Sequence, residues 1–171
     1  MLAKAIKASR VIDRLNTAIA NWASWLVPVG VAIVVVDVAI RLFTPQYTLI
    51  WPFDLSWMLF SFYFMLAIPY TLLVKGHVKI DIVLSRWRPR ARAAFEIAFF
   101  AFFALPIILI LIINGVPFAL DSITQREVWM GAWLPPVYQM KSLIPVGFLL
   151  LLLQVISEII KCFEIMTSSS K

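Results

Sequence analysis

The sequence contains few of the residues that build catalytic, redox and metal sites. Its 171 residues include one cysteine, one histidine and five glycines, and only 14% of them are charged. The single cysteine, Cys162, excludes an intramolecular disulfide, and the single histidine, His77, excludes the paired histidines of a haem held within one chain. A zinc site needs several ligands close together, and His77 has only Asp81 nearby. We find no nucleophile–base pair and no phosphate-binding loop, so we predict neither an enzyme activity nor a cofactor.

Apolar residues, by contrast, are abundant and gathered into four long runs. They make up 63% of the chain, and its charged share is well below the roughly 25% of soluble domains. Each run has about 20 residues or more, enough to cross a hydrocarbon core of ~30 Å as a helix. None alternates as a barrel strand would. The sequence therefore predicts an all-α membrane protein with a single domain, residues 1–171. Its predicted spans are residues 18–43, 53–74, 95–116 and 143–162.

The basic residues are distributed unevenly between the connectors. Lys and Arg outnumber Asp and Glu by 15 to 9, and they concentrate before the first run and in residues 75–92. Because Lys and Arg resist translocation, this asymmetry places both termini on the cytoplasmic side and argues against nucleic acid as the partner. The first run is longer than the apolar part of a signal peptide and has no small-residue cleavage site. We therefore interpret it as a retained helix preceded by a short basic leader.

The connector between the second and third runs contains a predicted helix of a different kind. Ile80, Val83, Leu84 and Trp87 form one apolar stripe at helical spacing, and basic residues lie off that stripe. A short basic amphipathic helix beside a membrane lies flat in the interface, and we predict one over residues 78–88. Each basic residue near anionic lipid contributes about 1 kcal/mol of attraction. The predicted lipid-interface residues are Trp87, Arg86, Arg88, Arg90 and Arg92.

Prolines occur in every apolar run. They are Pro28, Pro69, Pro106 and Pro145. A proline inside a helix removes a backbone donor and crowds the carbonyl four residues earlier, so irregular geometry is predicted near Ser24, Met65 and Phe102.

Three acidic or basic residues near the outer ends of the first two runs are candidates for function. Asp37 and Arg41 lie four residues apart on one helical face, close enough to the end of the run for Arg41 to reach water. The favoured role of Asp37 and Arg41 is either to neutralise each other's charge or to dock a subunit. The alternative is a role in gating or transport. Asp54 follows Pro52, where a carboxylate complements a helix N-terminus. Pairing of Asp54 with Arg41 or with a partner protein is the other interpretation.

Several motifs occur together in a specific order. After the second run comes Lys75-Gly76-His77-Val78-Lys79-Ile80-Asp81, the outer loop holds Trp133-Leu134-Pro135, and the fourth run starts with Ile144-Pro145-Val146-Gly147-Phe148. Together with Arg41 and the carboxylate of Asp54, they resemble the small membrane subunit, the DctQ-like component, of tripartite ATP-independent periplasmic (TRAP) transporters. The family usually has Glu at the position of Asp54.

The resemblance implies a non-catalytic subunit that scaffolds a large multispanning DctM-like subunit, which carries the substrate and Na⁺ sites and works as an elevator. It also implies uptake of an organic acid that a periplasmic binding protein delivers, across a bacterial or archaeal inner membrane. Phospholipids are the remaining expected partner, and small residues of the first span, Gly30, Ala32 and Ala39, suggest a face for the large subunit. The residues expected to serve docking or structure are Asp37, Arg41, Asp54, Gly76, His77, Asp81, Trp133, Pro135, Pro145 and Gly147.

Two other kinds of four-helix membrane protein remain as alternatives. A small multidrug exporter would carry a carboxylate at the centre of its first span, and Asp37 lies too near the outer end for that role. A haem-free membrane anchor of a respiratory complex is not excluded by the residues. The acid that is transported cannot be read from this chain.

Overall fold

The computed structural model describes residues 2–44, 49–76, 87–130 and 133–168, and these are almost entirely helical. A π-helical turn, Phe100–Ala104, joins the fourth and fifth helices. The described residues form no strand, only an isolated bridge between Val128 and Pro136, and the all-α prediction is confirmed. The helices are α1 (Leu2–Ser24), α2 (Leu26–Phe43), α3 (Trp51–Leu73), α4 (Pro89–Phe99), α5 (Leu105–Thr124) and α6 (Tyr138–Ser168).

Four helical stretches are long and apolar enough to cross a membrane, as predicted. The second stretch nearly coincides with its predicted run, 53–74. The other three extend well beyond theirs, because the apolar residues mark only the part that suits hydrocarbon while the helical backbone continues into polar sequence. The predicted interfacial helix at 78–88 lies almost wholly outside the described residues. The four stretches are Lys4–Phe43, Trp51–Leu73, Pro89–Thr124 and Tyr138–Thr167.

Two of the three predicted irregularities coincide with interruptions of helix geometry. The first stretch breaks at Trp25, between α1 and α2, where Pro28 has no N–H to offer the carbonyl of Ser24. The π-helical turn contains Phe102. The carbonyl of Phe102 lacks its usual helical donor, because Pro106 has no N–H. The third helix, α3, continues through Pro69 without a break.

The four spans form an open row rather than a closed bundle. Helix α2 packs on α3, α3 on α6, and α6 on α5, while α1 packs across both α3 and α6. Helix α6 is therefore central. We call the end where Ser9 of α1 meets Ser157 of α6 the terminal end, and the end where Trp57 meets Trp129 the loop end.

Only a small apolar core is closed off within this row. Phe100, Ile108 and Val155 are buried together where α5, the π-helical turn and α6 meet, with Leu72 of α3 packed against them. Large apolar side chains elsewhere are exposed, particularly along α2 and α5. A single row cannot cover both faces of every helix, so these surfaces must face lipid or another membrane chain.

Candidate functional site

Asp37 and Arg41 form an ion pair on α2. The Nε atom of Arg41 lies 2.9 Å from Oδ2 of Asp37, and its Nη2 atom donates to the carbonyl of Leu49 at 3.4 Å. Asp37 is only 8% exposed, and its Oδ1 atom is buried without a hydrogen-bond partner. The charge of Asp37 is thus already matched within the chain.

The small residues of α2 do not share one free face. Gly30 is buried against Phe60 of α3, so that a Cβ atom there would lie 3.3 Å from the ring. Ala32 is exposed and Ala39 is half-buried. The prediction of a common partner face is therefore wrong for Gly30, because α3 already uses that side of the helix.

Asp54 lies in the first turn of α3, where the helix has no side-chain N-cap hydrogen bond. Among the described residues it forms no ion pair with Arg41. Asp54 does occupy the predicted position near the positive end of the helix, where a carboxylate is favourable. Asp54 borders a small cavity together with Trp57, Trp129 and Pro135.

The outer loop that holds Trp133 and Pro135 is tied back on itself. The N–H of Trp129 donates to the carbonyl of Pro135 at 2.8 Å, and the Trp129 ring lies 5.2 Å from that of Trp57. Pro135 is buried and Trp133 is exposed. Leu134 between them has a φ of 49°, a left-handed conformation that is rare for this residue type.

Glu127 links that loop to the start of α6. Its Oε2 atom accepts from Ser122 at 2.7 Å and pairs with Lys141, whose ammonium also lies 4.2 Å from the centre of the Phe118 ring. The hydrogen bonds from Lys141 and then Ser122 lower the pKa of Glu127 below its ordinary value. Sequence reasoning missed this cluster, since no helical spacing relates Glu127 in the loop to Lys141, 14 residues later in α6.

Pro145 and Gly147 lie where α6 contacts its two neighbours. Pro145 packs beside Gly115 of α5, and Gly147 packs against the backbone of Met65 in α3. A Cβ atom on Gly147 would lie 3.0 Å from the Met65 carbonyl oxygen. These motif residues therefore contact other spans of the same chain.

Gly76 belongs to the turn that ends α3. The N–H of Gly76 donates to the carbonyl of Thr71 at 2.8 Å and that of Lys75 to Leu72 at 3.1 Å, the two hydrogen bonds of a Schellman motif. The left-handed residue is Lys75, with a φ of 56°, and not the glycine. His77, Asp81 and Arg86, predicted to act just beyond, lie outside the described residues.

The remaining predicted lipid-interface residues surround the start of α4. Trp87 packs edge-on against Phe95, with ring centroids 5.7 Å apart. Arg92 bonds Oε1 of Glu96 at 3.3 Å, while Arg88 and Arg90 are exposed. The contact of these residues with lipid headgroups stays a prediction.

The largest polar cluster joins α1 to α6 at the terminal end, and sequence reasoning missed it. Lys161 lies 2.9 Å from Asp13 and 2.6 Å from Glu158. Asp13 also accepts from Gln154 at 3.0 Å and from Ser157 at 2.8 Å. One ammonium thus bridges two carboxylates between the helices.

Two further hydrogen bonds extend this cluster. Ser9 bonds Ser157 at 2.8 Å, and Asn16 donates to Gln154 at 2.7 Å. A signal was present in the sequence, because Gln154, Ser157, Glu158 and Lys161 recur at the spacing of one helical face. We call the following seven residues the α1–α6 polar cluster: Ser9, Asp13, Asn16, Gln154, Ser157, Glu158 and Lys161.

Cys162 and Glu96 lie beside that cluster. The thiol of Cys162 is buried, and it contacts Oε2 of Glu96 at 3.5 Å. Glu96 is on α4, where it also bonds Arg92. Its contact with Cys162 therefore connects α4 to α6.

The described surface offers little for substrate chemistry. One surface depression, about 430 Å³, is lined by Phe62, Ile123, Tyr138, Gln139, Ser142 and Leu143, none of which is charged. The described residues contain no group of three or more His, Cys, Asp or Glu side chains that could hold a metal ion. The polar groups described above instead connect helices of the same chain.

Comparison with known families gives a match over most of the chain. A model of the tripartite ATP-independent periplasmic transporters, DctQ component, matches residues 30–164. No curated protein and no solved structure matches the chain.

Proposed function

Because the chain belongs to the DctQ component family of the tripartite ATP-independent periplasmic transporters, we propose that it scaffolds the large DctM-like subunit during transport. The family implies association with that subunit. In the proposed mechanism this chain holds the stationary part of the large subunit while an elevator-like domain moves. The complex takes up an organic acid, delivered by a periplasmic binding protein and driven by a Na⁺ gradient.

The observation that carries the scaffold role is the pairing of charged groups inside the chain. Arg41 is neutralised by Asp37, Lys141 by Glu127, and Lys161 by Asp13 and Glu158. A carboxylate substrate would need an available cation or several donors within the spans. These groups are already committed to contacts within the chain, which supports a non-catalytic and non-transporting role for this subunit.

The open row of helices supports the same proposal. Its outward faces on α2 and α5 carry exposed valine, isoleucine and phenylalanine side chains, which suit lipid on one side and a multispanning partner on the other. We assign the partner to the face of α2 that holds Ala32 and Ala39, which points away from α3. Small residues there allow close helix packing.

The proposed setting is the inner membrane of a bacterium or archaeon, with both termini in the cytoplasm. The basic residues of 75–92 and of α1 support this orientation. In that arrangement Trp133, Pro135 and Asp54 face the periplasm, where the binding protein docks on the assembled transporter at least transiently. Gly76, His77 and Asp81 then shape the cytoplasmic exit of the second span.

Reconstitution tests the proposal. Liposomes that hold this chain and the large subunit should accumulate an organic acid only with the binding protein and an inward Na⁺ gradient. Omitting this chain should abolish uptake, and this chain alone should move nothing. Uptake of an organic acid or a cationic drug by this chain alone would contradict the scaffold role.

A matched pair of variants tests the assigned face. Ala32→Trp should loosen the complex in co-purification, because a bulky ring prevents close packing. Ala101→Trp, at an exposed position of the π-helical turn, should leave assembly unchanged. The affinity of the binding protein for its ligand should stay the same in both. If the Ala32→Trp variant assembled normally, the interface with the large subunit would not lie on this face of α2.

A further inference from the structure

Helix α1 has a docked side and an outward side of different chemistry. The docked side uses Ser9, Asp13 and Asn16 to bind α6 through the α1–α6 polar cluster. The outward side carries the basic residues Lys4, Lys7, Arg10 and Arg14, all of them exposed. None of the four forms an ion pair with a residue that the structure describes.

The contacts of α1 show that it crosses α6 obliquely. Ser9 pairs with Ser157 and Asn16 with Gln154. At 1.5 Å per residue, the two pairs are about 10 Å apart along the axis of α1, from Ser9 to Asn16. They are only about 5 Å apart along the axis of α6, from Ser157 to Gln154. Helices packed side by side would advance equally. A single turn residue, Trp25, whose backbone is still right-handed helical (φ −68°, ψ −19°), then separates α1 from α2.

The depth of this crossing corresponds to a membrane surface. Along α3, Met65 lies about 21 Å from Trp51, and along α6, Gln154 lies about 10 Å beyond Gly147. Gly147 packs directly on Met65. Gln154 is therefore about 30 Å from the loop end of α3, which is the thickness of a hydrocarbon core.

The outward side also carries an apolar strip next to its basic residues. Val11 is 64% exposed, Leu15 45% and Trp22 68%, and these three recur on one helical face. A helix with an apolar strip, a basic flank and an aromatic residue at one end is suited to a headgroup–acyl boundary. Positive charge without internal partners favours an anionic surface.

We propose that α1 is an interfacial helix that binds anionic phospholipid headgroups through Lys4, Lys7, Arg10 and Arg14. Val11, Leu15 and Trp22 enter the acyl boundary, and the α1–α6 polar cluster holds the helix to the spans. The inference rests on the proposed function only for the membrane setting and the orientation. Helix α1 precedes the residues that the family model matches, 30–164, so the family match does not assign this role.

Site-specific quenching tests the proposal. A fluorophore is attached to Leu15→Cys in a Cys162→Ser background, and the full chain is placed in nanodiscs of phosphatidylcholine and phosphatidylglycerol. Bromine is carried either by the anionic or by the neutral lipid. We expect the anionic lipid to be enriched at the label by about fivefold or more, the value for one engaged basic residue. Added salt should reduce that enrichment.

Charge removal supplies the controls. Replacing Lys4, Lys7, Arg10 and Arg14 with Gln should bring the enrichment close to one. A second variant with Gln replacements elsewhere, at Lys75, Arg126 and Lys171, should keep it. Both variants must remain monodisperse, which shows that they are folded. The effect of salt is measured on the protein that keeps all four basic residues of α1, so that part of the test does not depend on the variants.

Three results would overturn the proposal. These are equal quenching by both lipids, enrichment that persists after the α1 charges are removed, and enrichment that disappears when the large subunit binds. The last would mean that protein, not lipid, covers this side of α1. None of these results would affect co-purification with the large subunit, so failure here is separable from failure of the scaffold role.

Discussion

Gly147 matters because of a carbonyl on the neighbouring helix. Pro69 has no N–H, so the carbonyl of Met65 loses its helical donor. Gly147 places its backbone directly beside that oxygen, and a glycine Cα–H is a weak donor suited to such a contact. The proline of α3 and the glycine of α6 therefore lie at one contact, and α3 continues through Pro69 without a break although irregular geometry was predicted near Met65.

Replacing Gly147 with Ala should destabilise the protein. The added Cβ would lie 3.0 Å from the Met65 oxygen, which is backbone and cannot rotate away. We expect a loss of about 1–3 kcal/mol, as for overpacking of a core, measured by thermal unfolding in detergent. Gly115→Ala is the matched control, because its nearest neighbour would be 3.6 Å away. Equal effects at both glycines would contradict this account.

The interactions of Glu127 predict that the stability of the outer loop depends on pH. Its pKa is lowered in the folded state from an ordinary value of 4.5, so its stabilising contribution is complete above about that pH. The contribution is lost as the pH falls through the lower, folded pKa. Fluorescence from Trp129 should report a loop transition in this acidic range. Lys141→Met should shift the transition upward toward 4.5, and Glu127→Gln should remove it. A transition that Lys141→Met leaves in place would refute the assignment.

At the scale of elements, α1 depends on contacts that no local pattern supplies. Its docked side is polar, and its partner residues on α6 are 138 to 148 positions away. Lys161 lies between two carboxylates, so the cluster is stable only while all three charges are present. This contact joins the start of the chain to its last helix.

Removing the bridging charge should therefore release α1. In Lys161→Met the carboxylates of Asp13 and Glu158 would face each other without a cation, at a cost of roughly 2–4 kcal/mol. Limited proteolysis in detergent should then cut within residues 2–24. The second-site change Glu158→Gln should restore part of the protection, and Glu164→Gln on the same helix should have no effect. Protection that survives in Lys161→Met would show that apolar contacts alone hold α1.

At the scale of the whole molecule, the open row separates two ends of different character. The loop end carries Trp57, Trp129 and the Glu127 cluster, whereas the terminal end carries the α1–α6 polar cluster and most of the exposed basic residues. A row with α6 at its centre leaves both outer helices available to other molecules. That shape suits a subunit that lies between lipid and a larger partner.

Cysteine labelling in intact cells should show this polarity directly. In a Cys162→Ser background, Met130→Cys at the loop end should react with a membrane-impermeant maleimide, since Met130 is 99% exposed. Thr167→Cys at the terminal end should react only after the membrane is permeabilised. The reverse pattern would invert the proposed orientation and with it the cytoplasmic location of α1.

The sequence by itself determined the features that depend on neighbouring residues. Long apolar runs predicted four membrane-spanning helices, because hydrocarbon leaves the backbone no hydrogen-bond partner other than itself. Prolines predicted the breaks near Ser24 and Phe102 for an equally local reason. The order of short motifs identified the family, which the match over residues 30–164 confirms. The roles of His77 and Asp81 stay predictions.

Only the tertiary structure decided which side chains meet. The sequence did not predict that Asp13 and Lys161 meet, and it assigned Gly30 to a partner face. The packing of α1, α3 and α6 brought the partners of these residues beside them. Hydrophobic periodicity specifies which face of a helix is apolar but not which helix covers it. Ion pairs between residues far apart in the chain depend on which helices pack together, and only the three-dimensional structure determines that.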